Sequence, residues 1–442
     1  MAIARTGSLL CAALASAPAL AQWTPAWIGS WQYAPSPRGV TPHDVRLGAH
    51  GRIFTLLDAG HDGMSRTALA RFDEGGAFAW LRERPGSTDR GMALLPDGGV
   101  AVVDAFGPMV RVRVHDGDNG DVVWEDDTQP GRISAGTRQL AAGADGDVLV
   151  PVIDGNDIVV ARHAGDGRRL PDWRWSPGAE DLQAEDIVAT ADGGAVVGVA
   201  GDMLTGGYLV VRFDASGQVV FHDRELGTLD GGTFNRRLFL ALDGADNVLA
   251  QGSLQNPFGD MQAQVWKIAP DGSRLWTRRL ANPVDERFGI EAVGLALDAA
   301  GDALTAAQPG FGQGLRLQRF DSATGTLRQD VPAPLDGDPR GLARAPNGRV
   351  LVNSTYSIDF QGHVGARVVE FDARLRPCRS LDLGDRYFHM VSSGGPRGWT
   401  SVAASLFAET GNDAYVLRHD ADGACDAADT IFADDFEGAA MP

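Results

Sequence analysis

Lysine is nearly missing from this chain, with Lys267 the only one among 442 residues. Chemistry that needs a lysine amine, such as a Schiff base or a P-loop phosphate grip, is thereby close to excluded. Cysteine is scarce too, at three residues, and only Cys378 and Cys425 lie beyond the first 21 positions. Two thiols do not make a disulfide framework, although one bond between Cys378 and Cys425 is open to the chain. Positive charge is in deficit, with 39 Lys and Arg against 58 Asp and Glu, for a net charge of −19. That balance speaks against a nucleic-acid partner and against docking on anionic membranes. Beyond position 21 no apolar run approaches the ~20 residues of a membrane span, so no membrane insertion is expected. Gly-x-Ser-x-Gly, His-Glu-x-x-His and Cys-x-x-Cys are absent, and neither a metal nor a cofactor is expected.

The start of the chain has a single positive charge at Arg5, an apolar run over 9–17, and Ala19-Leu20-Ala21. This is the pattern of a signal peptide over 1–21 with a small-x-small cleavage site, so an exported product is expected, periplasmic or extracellular. The whole chain is 44% hydrophobic with 57 glycines, which suits a folded, turn-rich chain better than a helical or a disordered one.

Self-comparison reveals a repeat of about 40–55 residues. Each copy has a short apolar strand, a turn, a second apolar strand, a variable loop, and a third strand ending near Arg-Phe-Asp. A glycine turn and a fourth strand with an aromatic complete it. The first turn is read at His50-Gly51, Asp97-Gly98, Asp145-Gly146, Asp192-Gly193, Asp243-Gly244, Asp298-Ala299 and Asn347-Gly348, with a degraded copy near 396–398. Segments such as Val148-Leu149-Val150 and Val100-Ala101-Val102-Val103 are continuously apolar, as strands buried on both faces are. Four short strands per unit, repeated, predict an all-β, eight-bladed β-propeller over 22–428, with seven blades as the alternative.

The fourth strands share one spacing in Gly76…Trp80, Gly120…Trp124, Gly217…Phe221 and Gly272…Trp276. The segment Trp27-Ile-Gly-Ser-Trp31 reads as such a strand without its three predecessors, while the last copy has only a weak fourth strand. The N-terminal strand is therefore expected to complete the last blade, since an open array would leave strand edges and apolar faces bare.

These repeats resemble the secreted bacterial propeller superfamily with delta-60-type, NHL and quinoprotein-like repeats, and Asp116…Gly120…Trp124 resembles the tryptophan-docking motif of the quinoprotein members. The resemblance implies the fold and leaves the chemistry undefined. The tail over 429–442 resembles an Ile-Phe-Ala-Asp-Gly-Phe-Glu terminus found on secreted Gram-negative proteins, with Asp435 in place of the glycine.

Counting seven residues back from each first-turn residue gives His43, Arg90, Arg138, Glu185, Arg236, Glu291, Arg340 and His389. In a propeller these start the innermost strands, so they predict a polar ring at one mouth of the central channel. Such a ring either holds a small anion through forked Arg contacts or pairs internally, as Arg138–Glu185–Arg236 and Glu291–Arg340. His115, His163 and His419 stand where other copies have Phe72, Phe213, Phe320 and Phe371, and are read as packing residues. Asp116-Gly-Asp-Asn-Gly-Asp121 lacks the bidentate Glu of a calcium loop and reads as a polar turn. The function expected is a monomeric binding or scaffold module for an unknown protein or a small anionic ligand, with longer loops near 58–67, 202–207, 253–263 and 354–363 on its binding face. The alternative is a lyase or hydrolase acting on a sugar or lactone at the mouth, using His43, His389 and Glu185 for proton transfer.

Overall fold

The structure is a computed structural model. It describes residues 21–22, 27–32, 40–61, 64–85, 88–106, 109–131, 133, 138–178, 182–201, 207–226, 237–255, 261–280, 289–309, 314–333, 338–345, 348–357, 364–382, 387–394, 400–408 and 411–419. Nearly all of this is β-strand, and the one helical element among the described residues is a 3₁₀ turn at Ala49–Gly51. Residues 1–20 of the leader and the tail over 429–442 lie outside the described residues.

Hairpin-linked antiparallel strands build each sheet in chain order. The first comprises Val40–Leu47, Ile53–His61, Met64–Phe72 and Phe78–Pro85. Sheets 88–130, 141–175 and 183–226 repeat that plan. In a further four-stranded sheet, Trp27–Gln32 pairs antiparallel with Gly411–His419, Trp27 opposite Arg418, so an N-terminal strand finishes the last repeat.

Five sheets thus stand separately with four strands each, where eight, or alternatively seven, separate ones were expected. The difference has two local causes. Strands of 238–279 and 290–333 join into one eight-stranded sheet through a single parallel pair, Gln262 with Ile290. Strands of 338–382 gain a fifth member, Ala21–Gln22, parallel to Pro377–Asp382.

The core lies between sheets. One apolar cluster joins Phe54, Leu56 and Leu69 to Met92, Val100 and Val102 of the next sheet, and comparable clusters follow at later interfaces. Both faces of a middle strand are used, which is why Val148, Leu149 and Val150 are all buried. The first strands of consecutive repeats touch in chain order, and Tyr387–Gly394 meets Val40–Leu47, closing the cycle.

Aromatics fasten neighbouring sheets. A Cβ added to Gly120 would lie 2.7 Å from the Trp80 ring, and Trp124, Trp173, Phe221 and Trp276 crowd Gly167, Gly217, Gly272 and Gly325 in the same way. Three of the indole N–H groups donate to the next sheet's turn, Trp80 to Asp118 O (3.1 Å), Trp124 to Gly165 O (3.1 Å) and Trp276 to Ser322 O (3.0 Å).

Of the histidines read as packing residues, His115 and His163 are buried, and the side chain of His419 lies outside the described residues. His115 Nδ1 lies 2.9 Å from Gly120 O, and His163 stacks on Trp124 with centroids 5.1 Å apart while its Nε2 meets Asp126 at 2.7 Å. The Asp116 loop is a turn, with Asp116 Oδ1 accepting from the amides of Asp118 and Asn119. Cys378 is disulfide-bonded, while Cys425 lies outside the described residues. No helix among the described residues is long and apolar enough to cross a membrane.

Candidate functional site

Most first strands carry an irregularity near their start, Ala141–Ala142 and Leu238–Leu242 being regular over their described pairs. Register breaks lie between Pro42 and Asp44, Asp89 and Gly91, Ala184 and Asp186, and Pro339 and Gly341. The extra residues are therefore His43, Arg90, Glu185 and Arg340, four members of the predicted ring. A bulge re-aims a side chain and is common at rims and next to sites. Arg138 precedes its short strand, Ala141–Ala142.

The other members are out of register. In the first turns, Leu95 N bonds to Gly99 O, and likewise Asp243 N to Asn247 O and Asp298 N to Asp302 O. Asp243 and Asp298 therefore open their turns, whereas Asp97 stands third. The positive-φ residues there are Asp246 and Gly301, not Gly244 and Ala299. Counting from Asp243 and Asp298 lands two residues early, so the equivalents of Arg90 are Leu238 and Val293 rather than Arg236 and Glu291. Val293 is indeed the bulged residue of its strand, and Phe388 rather than His389 is that of Tyr387–Gly394. Arg236 lies outside the described residues, as do the side chains of Arg90, Arg340 and His389.

The expected ion pairs are also redrawn. Arg138 pairs with Asp186, not Glu185, through Nε to Oδ1 at 2.8 Å and Nη2 to Oδ2 at 3.2 Å. Its Nη2 also donates to Leu240 O at 2.9 Å, and Leu240 N donates to Asp186 at 2.7 Å, so the pair ties three successive repeats. Only the backbone N–H of Arg138 meets Glu185, at the carbonyl, 3.2 Å away. The bulge explains the exchange, because the extra residue shifts which carboxylate faces Arg138. His43 is exposed, Glu185 is buried, and Glu291 is half-buried. Burial pushes the Asp186 carboxyl above its usual range, against the pull of Arg138 and the Leu240 amide.

Inside the ring of first strands lies a cavity of about 590 Å³. Met92, Leu94, Leu140, Ile187, Leu240, Leu242, Leu295 and Leu297 supply an aliphatic wall, and Arg46 and Arg138 are the charged residues lining it. Arg46 Nη2 contacts Asp44 at 2.8 Å. Burial raises the Asp44 carboxyl, while Arg46 beside it and the field of Arg138 lower it, leaving it above the usual range. Arg46 and the apolar wall were missed from sequence. A period-two reading of the first strands, as in Leu240/Leu242 and Leu295/Leu297, carries the signal for the wall.

A second cavity, of about 490 Å³, lies between sheets 40–85 and 88–130 and is lined by Arg82, Arg84, Arg111 and Arg113. Its cations are already met. Glu125 pairs with Arg84, Arg113 (3.9 Å) and Arg111 (4.0 Å), and buried Asp104 pairs with Arg113 at 2.7 Å.

No family model matches the chain, and no curated protein matches it. Among solved structures it is similar to the Dos1 propeller, at 10% identity and a TM-score of 0.56, covering 88% of this chain and 95% of that one. The chain is a β-propeller. It is also similar to a protein of unknown function from Bacteroides caccae (18% identity, TM-score 0.37, 62% of this chain and 89% of that one). A third likeness is to the β-propeller domain of the Trilobed protease from Pyrococcus furiosus (10%, 0.48, 79% and 99%). At such identities the likeness is one of fold, and the activity of this propeller has to be argued from its own cavity.

Proposed function

We propose that this propeller is an exported binding module that takes a small ligand in its central channel. The observation that carries this reading is the channel wall, whose described residues are aliphatic apart from two arginines. Apolar cavities of this size with a few polar groups are the usual form of a small-molecule site. Among the described lining residues there is no imidazole, carboxylate, thiol or hydroxyl to move a proton or attack a substrate, so binding is favoured over the lyase or hydrolase alternative. The bulged His43, Arg90, Glu185 and Arg340 would then border the entrance, and Arg138 alone of the expected ring lines the described cavity.

The ring is read as eight blades. The eight-stranded sheet then counts as two blades, because one residue pair is all that joins its halves, and the five-stranded sheet counts as one blade with an added strand. Export is supported by the leader sequence and its Ala19-Leu20-Ala21 site.

The test is titration of the full chain with a neutral fluorescent apolar probe, N-phenyl-1-naphthylamine. One saturable site per chain is expected, lost in Ala241→Trp and Ala189→Trp, each of which places an indole in the channel. Folding of both variants is checked by circular dichroism. Absence of a saturable site, or an unchanged affinity in both folded variants, overturns the reading.

A further inference from the structure

The two arginines of the channel are neutralised from behind. Asp186 is fully buried and Asp44 largely so, and neither belongs to the cavity lining, whereas Arg46 and Arg138 do. Among the described lining residues the wall therefore presents hydrogen-bond donors and no side-chain acceptors, since a guanidinium has five N–H groups and no lone pair to offer. Among the described residues Arg46 uses Nη2 on Asp44, and Arg138 uses Nε and Nη2 on Asp186 and Leu240. Arg46 Nε and Nη1 and Arg138 Nη1 remain for a ligand.

We propose that the channel ligand is a monocarboxylate on an unbranched apolar chain, its head held by Arg46 and Arg138 and its chain against Leu240, Leu242, Leu295 and Leu297. This rests on the channel reading above. A carboxylate matches the planar fork of a guanidinium. It also fits the charge present: two arginines and two aspartates balance, so a single negative charge is a smaller burden than the double charge of a phosphate monoester. A phosphate would bring further acceptor oxygens against an aliphatic wall that cannot satisfy them. The chain follows from that same wall, whose described residues offer no partner to a second polar end.

The experiment titrates the full chain by calorimetry with decanoate, decan-1-ol and decyltrimethylammonium, below the concentrations at which they form micelles. One decanoate per chain is expected, at least tenfold tighter than the alcohol, with no binding of the cation. Arg46→Met should weaken decanoate at least tenfold and leave the alcohol unchanged. The double variant Arg138→Met with Asp186→Leu, which leaves no buried charge unpaired, should do the same. Equal affinity for decanoate and decanol, or decanoate binding indifferent to both variants, overturns the carboxylate assignment while leaving the channel reading intact. Failure of every aliphatic probe overturns both.

Discussion

Gln329 donates through Nε2 to the carbonyl of Arg374, 3.0 Å away, beside Leu375, which holds a φ of +56°. Gln329 stands opposite Arg319 as Trp276 stands opposite Lys267, and Leu375 occupies the turn position that Gly272 fills in its own repeat. Aromatic and glycine are thus lost together at this interface, as expected if the glycine exists to admit the ring. A Cβ at Gly120 would press on Trp80 from a backbone with φ of +78°. Gly120→Ala should cost about 2 kcal/mol by overpacking, read as a lower urea midpoint at constant slope. Adding Trp80→Phe should recover part of it, and full additivity would argue against the contact.

The same register reaches the seam. Trp27 lies opposite Arg418 as Trp80 lies opposite Arg71, and Gly76 in the neighbouring sheet has the same left-handed turn as Gly120. Trp27→Ala should therefore destabilise by about 3–5 kcal/mol, the usual cost of removing a packed aromatic. Removing residues 22–37 should lower stability further and expose apolar surface to a dye. A melting curve unmoved by either change would show that the ring does not depend on this strand.

Arg138 and Asp186 make a second test. Arg138→Met strands a buried carboxylate, and the loss of one partner from such a pair typically costs about 3–5 kcal/mol. Combining it with Asp186→Leu should restore most of that stability. A double variant no more stable than the single one would show that the link to Leu240, rather than charge compensation, is what matters.

Acid should weaken the fold in a definite window. Burial pulls His115 down to about 4, while an unfolded histidine titrates near 6.5. Between those values the unfolded chain takes a proton that the folded chain refuses. Stability is then complete above pH 6.5 and declines as the pH falls toward 4, by on the order of 3 kcal/mol. His163, also depressed by burial, adds with the same sign. In His115→Phe, which copies the buried Phe72 and Phe213, the melting temperature should fall less steeply over this range. An equally steep decline would exclude His115 as its source.

Cys378 is disulfide-bonded, and peptide mapping without reduction is expected to recover it joined to Cys425. Alkylation of Cys425 as a free thiol in the folded chain would exclude that pairing.

Strand plan and the N-terminal contribution were legible because both are written in local patterns. Apolar runs such as 100–103 need burial on both faces, and Trp27 repeats a spacing found elsewhere. Trp173 was hidden because Gly167 precedes it by six residues rather than four, yet its ring crowds Gly217 as the others do. The bulge positions of the first strands were half legible. His43, Arg90, Glu185 and Arg340 fall on bulges, but Asp243 and Asp298 imitate turn acids while opening their turns. Only hydrogen bonding shows which position an acid holds. The Arg138–Asp186 pair was beyond reach, since a one-residue bulge decides whether Glu185 or its neighbour meets the guanidinium.

Lys267 is buried, with Nζ 2.7 Å from Asp243 and bonded to the Oγ and carbonyl of Ser322 at 2.7 and 2.9 Å. As the sole ε-amine is locked into this clasp, N-hydroxysuccinimide dyes and amine crosslinkers applied to the folded chain have the α-amino group as their one ready target. A fluorophore or surface tether can thus be placed at one defined point by ordinary acylation, with no engineered handle, and Lys-C digestion becomes a reporter of unfolding.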